Sequence, residues 1–253
     1  MSPALAVSRR GLLKGAAAFA AASALPLRAQ TVHNIMYVGC YTARGRGVYV
    51  FQQDPSTGKL TELSVATDVQ PSFVALDPQA RFLYACNEIA NYAGGVTGSV
   101  TSFAVDANTG NLTLLNKQSS EGRNPAHVSV EPTGKFALAA NYSGGSVTVL
   151  PILEDGRLGP PTHNVLHTGR LGPNTGRQEA PHAHQILSDP FGRYVLANDL
   201  ALDQTIVYFL DRNSGTLIPN SIATAAPGAG PRHLAFFPDG RFVFVLNELD
   251  NTV

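Results

Sequence analysis

Pro125-Ala-His-Val-Ser-Val-Glu-Pro132 is followed by Thr-Gly, by Lys135-Phe136, and by the apolar run Ala-Leu-Ala-Ala that ends at Asn141. Three other segments have the same form. They are Pro71-Ser-Phe-Val-Ala-Leu-Asp-Pro78 before Arg81-Phe82, Ala183-His-Gln-Ile-Leu-Ser-Asp-Pro190 before Arg193-Tyr194, and Pro231-Arg-His-Leu-Ala-Phe-Phe-Pro238 before Arg241-Phe242. Each copy is a short apolar strand, an acid or Phe with Pro, a turn, a basic residue, an aromatic, and a second apolar strand. The starts lie 54, 58 and 48 residues apart, and each second strand ends nine residues after its Pro, at Asn87, Asn141, Asp199 and Asn247. Outside these segments, Gly98–Val105 and Leu112–Leu115 flank Asn108-Thr-Gly110, and Thr205–Leu210 and Leu217-Ile218 flank Asn213-Ser-Gly215. Asn-x-Gly between apolar runs marks a hairpin, because Gly takes the positive φ that tight turns need.

Four antiparallel strands repeated at about fifty residues describe a β-propeller blade. The predicted fold is therefore all-β, a propeller of four-stranded antiparallel blades over residues 34–253. The span from residue 34 is expected to supply about four and a half blades. A sandwich or an open stack of hairpins fits the spacing less well.

Composition limits the partners. Of the 253 residues, 44% are hydrophobic, enough for a real core, and 14% are charged, with 18 basic against 18 acidic side chains. No basic field exists to hold a phosphate backbone, so nucleic acid is not an expected partner. The two cysteines, Cys40 and Cys86, are too few for a disulfide scaffold and read as buried thiols.

Residues 1–30 carry Arg9, Arg10, Lys14 and Arg28 and no acid, and the apolar stretch Gly15–Leu27 is far shorter than a membrane span of about 20 residues. This is a signal-peptide pattern, and Ser8-Arg9-Arg10-Gly11-Leu12-Leu13-Lys14 resembles the twin-arginine export signature. A periplasmic or otherwise exported protein with no integral span is expected, and removal of residues 1–30 would leave 14 basic and 18 acidic side chains.

The first strand of a blade lies nearest the axis, so equivalent positions in successive blades share a channel. The second position of each copy is Ser72, Ala126, His184 and Arg232, and the third is Phe73, His127, Gln185 and His233. Antiparallel return of the next strand brings Asn141 toward His127, Asp199 toward His184, and Glu248 toward Arg232 and His233. The densest polar loop, Arg177-Gln-Glu-Ala-Pro-His-Ala-His184, places His182 and His184 on one face if extended. Such a pair could share a proton or bind a metal, or it could be two ordinary hydrogen-bonded histidines. Tyr92 and Tyr142, in loops containing Gly94-Gly95 and Gly144-Gly145, either line the mouth or pack there. No serine-nucleophile elbow, zinc-protease motif, Cys-x-x-Cys or phosphate loop is present, and carboxylates are too few for a calcium cage.

The segments Tyr37–Thr42, Asn124–Val130, Ala140–Val147, Arg177–His184 and Gly230–Phe236 resemble the seven-bladed propeller lactonases, the family of bacterial 6-phosphogluconolactonase and fungal carboxymuconate cyclase. The resemblance implies a channel enzyme that hydrolyses or forms lactones without a metal or other cofactor. His127, Arg177, His182, His184 and Arg232 match its motifs. Catalysis is expected from His127, His184, Arg232, Asp199 and Glu248. Arg177, Gln178, His182, His233 and Asn141 are expected to bind a small lactone substrate. His184 or His127 would be the base, Asp199 would orient His184, and the arginines would hold the oxyanion. A binding or scaffold propeller that performs no chemistry is the alternative from another class.

Overall fold

The computed structural model describes residues 34–253, and the expected export signal lies outside them. Among the described residues every regular element is a β-strand, and none is a helix long and apolar enough to cross a membrane. A three-stranded sheet comes first, with β1 (Asn34–Val38), β2 (Gly47–Gln53) and β3 (Leu60–Thr67). Next is a four-stranded sheet of β4 (Pro71–Leu76), β5 (Phe82–Asn87), β6 (Ser99–Val105) and β7 (Leu112–Ser119). Two more follow: β8 (Pro125–Val130), β9 (Phe136–Asn141), β10 (Ser146–Pro151) and β11 (His163–Leu166), then β12 (Ala183–Ser188), β13 (Val195–Asp199), β14 (Gln204–Asp211) and β15 (Thr216–Thr224). The pair β16 (Pro231–Phe236) and β17 (Val243–Asn247) comes last. Strands pair with their sequence neighbours, all antiparallel, as in propeller blades.

The sequence repeat maps directly onto these sheets. Each copy begins on the inner strand β4, β8, β12 or β16, and the inner strands are neighbours from sheet to sheet. In the first three copies the acid before the Pro closes the corner between first and second strands. Asp77 Oδ1 accepts the amides of Arg81 (2.6 Å) and Phe82 (2.9 Å), and Asp189 Oδ1 accepts those of Arg193 and Tyr194 at the same distances. Glu131 does so in its own sheet, taking the Lys135 amide at 2.9 Å. The predicted hairpin at Asn108-Thr-Gly110 is tied by Asp106, whose carboxylate accepts the Asn108 and Thr109 amides, with Gly110 at φ 73°.

The core lies between sheets, and β9 shows why its sequence is apolar throughout rather than alternating. Phe136, Leu138 and Ala140 pack with Ala183, Ile186, Val195 and Tyr208 of the following sheet. Ala137 and Ala139 pack with Tyr84, Cys86 and Val100 of the preceding one. A strand buried on both faces needs apolar residues at both parities.

Candidate active site

Each inner strand carries a β-bulge at its second residue. The register steps from Pro71 to Phe73, Pro125 to His127, Ala183 to Gln185 and Pro231 to His233, leaving Ser72, Ala126, His184 and Arg232 without a partner on the second strand. A bulge re-aims the extra residue. Here all four bulged residues line one cavity of about 290 Å³, shared with Tyr41, Phe73, Glu88, Tyr142, Arg177, His233 and Glu248.

The backbone at this rim is equally regular. Gln70 and Asn124, each before an inner-strand Pro, take left-handed φ values of 47° and 50°, and Gly230 takes 69° in the equivalent place. A side chain at Gly230 would also run into Leu249, 2.6 Å from the position of an added Cβ. The carbonyls of Gln70, Asn124 and Gly230 accept the amides of Glu88, Tyr142 and Glu248 at 2.8–2.9 Å. Those three side chains are thereby set at equivalent points of the cavity wall.

Glu248 is clamped by two cations: Arg232 Nε donates to Oε2 at 2.7 Å and Arg177 Nη2 donates to Oε1. Beside them, the ring of His184 meets His233 edge-on at 5.1 Å and Tyr142 at 5.7 Å. Beneath the wall, His127 packs against Phe73 with ring centres 4.3 Å apart and the planes tilted by 40°, and accepts a long contact of 3.4 Å from Gln185 Nε2. His127 Nδ1, His184 Nδ1 and His233 Nε2 are buried without a hydrogen-bond partner. Burial, with His233 and His184 nearby, lowers the His127 pKa to about 3. Burial, with Arg232, His233 and Arg177 adding to it, lowers that of His184 to about 3. Burial and Arg232 also depress His233, against Glu248. All three are neutral imidazoles at neutral pH. Among the described residues no cluster of three or more His, Cys, Asp or Glu is placed to hold a metal ion.

Of the ten residues expected from sequence, Arg177, His184, Arg232, His233 and Glu248 meet at the cavity, and His127 lies one layer behind Phe73. The other four are turned elsewhere. Asp199 does not orient His184: its Oδ2 accepts His167 Nδ1 at 2.8 Å, and its Oδ1 accepts the amides of His182, Ala201 and Leu202. The bulge moves His184 off the register that would have paired them. Asn141 is fully buried, donating to Ser120 O with Ser146 and Thr148 hydroxyls beside it. Gln178 donates to Leu200 O and Asp203 and accepts the Asn174 amide. His182 is not among the residues lining the cavity that His184 joins. Its ring stacks on Tyr142 at 4.2 Å, and its nitrogens meet the Tyr142 carbonyl and the Glu179 carboxylate. Sequence reasoning missed Glu88 and Tyr41, whose hydroxyl donates to Glu88 Oε2 at 2.8 Å. The signal was present, since Glu88 follows Asn87 as Glu248 follows Asn247.

Residues 35–253 match the family model described as lactonase, 7-bladed β-propeller. A 6-phosphogluconolactonase of Bacillus subtilis is 41% identical over 87% of this chain and 61% of its own length. A Bacteroides fragilis structure described as a candidate 6-phosphogluconolactonase superposes with a TM-score of 0.78 at 36% identity, covering 85% of this chain and 61% of that one. The periplasmic gluconolactonase of Pseudomonas aeruginosa does so with a TM-score of 0.75 at 32% identity, over 83% and 60%. The chain spans about three fifths of the length of these relatives.

Proposed function

Because the chain belongs to the seven-bladed β-propeller lactonase family, we propose that it hydrolyses a sugar lactone, as a 6-phosphogluconolactonase-like carboxylic ester hydrolase exported from the cytoplasm. The observation that carries this reading is the Arg177–Glu248–Arg232 clamp beside neutral imidazoles in one cavity. Opening a lactone puts negative charge on the carbonyl oxygen, and guanidiniums fixed in a partly desolvated wall stabilise it most as it develops. Glu248 keeps both cations in place until substrate arrives. His184 and His233 line the same cavity as neutral imidazoles, a ring type that can donate to and accept from the hydroxyls of a sugar. These residues supply the electrophile without a metal. The resemblance of residues 8–14 to the twin-arginine signature supports export.

The test is lactone hydrolysis by the full-length protein, followed by pH-stat on sugar and aromatic lactones, with and without chelator. Saturable turnover that survives chelator is expected, and Arg232→Ala should lower kcat/KM by about 10²–10³ while the far-ultraviolet spectrum is unchanged. A folded protein inactive on every lactone would move the reading to a binding propeller. Net ring closure of hydroxy acids would make it a lactone-forming cyclase.

A further inference from the structure

Resting on the lactonase reading, we infer that Glu88 is the catalytic base that activates the attacking water, with Tyr41 positioning it. Two carboxylates line the cavity, Glu88 and Glu248, and the repeat puts them in equivalent places: each follows the Asn that ends a second strand, and each amide donates to the residue before an inner-strand Pro. Their partners differ. Glu248 has a guanidinium on each oxygen. Both of its oxygens are engaged by guanidiniums, which leaves neither free to hold and deprotonate a water. Among the described residues Glu88 has one side-chain partner, the Tyr41 hydroxyl on Oε2 at 2.8 Å. Oε1 is left for a water.

The histidines suit the task less well. Protonating His184 would place a third cation beside Arg232 and Arg177 in a buried ring whose Nδ1 has no partner, and His127 lies behind Phe73. Glu88 is half-buried, borders the cavity and faces no cation clamp.

The step balances without another reactant. Water on Glu88 adds to the carbonyl carbon: the new C–O bond forms, the water proton passes to Glu88, and the carbonyl π pair moves to the oxygen facing Arg232. Collapse breaks the acyl–ring oxygen bond, and the ring oxygen leaves with the bonding pair and takes the proton from Glu88. One water is consumed and one hydroxy acid is formed.

The experiment measures kcat and KM against pH for wild type, Glu88→Gln, Glu88→Asp and Tyr41→Phe in the full-length protein. Glu88→Gln should lower kcat by about 10²–10⁴ and abolish its acidic limb, with KM within about threefold. Glu88→Asp should restore the limb with part of the rate. The phenol holds Glu88 by its hydrogen bond, so Tyr41→Phe should lower kcat by about tenfold with KM within about threefold. Glu88→Gln within threefold of wild-type kcat, with its acidic limb intact, would overturn the assignment while leaving the lactonase reading standing. If Glu88→Gln fails to fold, an unchanged kcat in Tyr41→Phe overturns it. A wild-type protein inactive on every lactone removes both readings.

Discussion

The two ends of the blades are built by the same repeat and do opposite things with their polar residues. At the corner between first and second strands, Asp77, Glu131 and Asp189 spend their carboxylates on backbone amides in the same way in each sheet. At the other end the bulged position is Ser, Ala, His and Arg in turn, and the residue after the strand-end Asn or Asp is Glu88, Tyr142, Leu200 and Glu248. What recurs from sheet to sheet closes the backbone; what varies, the buried Leu200 apart, faces the cavity. Location alone does not decide. Asn87, Asn141 and Asp199 sit at the cavity end, yet they recur, are fully buried and bind their own blades.

The hardest test of this division is Asp199, a buried carboxylate beside the site but on the recurring side of it. Asp199→Ala strands three amides and His167, whose other nitrogen receives the Tyr208 hydroxyl at 3.2 Å. Breaking such a buried set costs about 3–5 kcal/mol, and urea denaturation should show a loss of that size. A variant as stable as wild type but devoid of turnover would return Asp199 to the chemistry and break the rule.

Acid sharpens the comparison from the other side, because the varying positions are where the fold holds histidines neutral. An unfolded imidazole titrates near 6.5, whereas His127 and His184 in the folded chain stay neutral down to about 3. As pH falls, protons bind the unfolded chain first. The stability these two residues contribute is therefore complete above about pH 6.5 and is lost progressively toward pH 3. Between pH 7.5 and 4.5 each would account for about 2–3 kcal/mol. His127→Phe should flatten the fall in melting temperature over that window, and an unchanged slope would show that the imidazole is charged in the fold.

The sequence repeat made the fold readable because each inner and second strand pair has a Pro, an Asn or Asp and, in three of the four copies, an acid at fixed offsets, and these are the residues that fix corners and strand ends. Half of the site was legible by the same alignment, since it placed His184, Arg232, His233 and Glu248 at one rim. What it could not convey was the bulge, which is a property of pairing between strands and has no residue signature in Ser72, Ala126, His184 and Arg232. A regular ladder would have set His184 against Asp199, and extended backbone would have set His182 beside His184. Gln178 and Asn141 were polar in a polar region, and only three-dimensional partners show them to be internal struts. Glu88 was visible in principle, by comparing copies for what differs and not for what repeats.

The smallest expected effect separates two explanations of the corner. Asp77 accepts the amides of Arg81 and Phe82 and also lies 3.6 Å from the exposed Arg81 guanidinium. If the corner needs an acceptor, Asp77→Asn keeps a carbonyl oxygen for both amides and should cost less than about 1 kcal/mol, whereas Asp77→Ala leaves two donors unsatisfied and should cost about 1–3 kcal/mol. If it needs the charge, Asn should be nearly as damaging as Ala and Arg81→Ala should match both. The ion pair is mostly in solvent on the arginine side, where such pairs contribute little, so Arg81→Ala is expected within about 0.5 kcal/mol of wild type. The same ranking should hold at Asp189, which has the same two amides and an Arg193 guanidinium at the same distance. Agreement between the two corners, from chemical denaturation of both sets of variants, would show that the acids at this end of the blade act as backbone acceptors, which is why an acid recurs in three of the four copies.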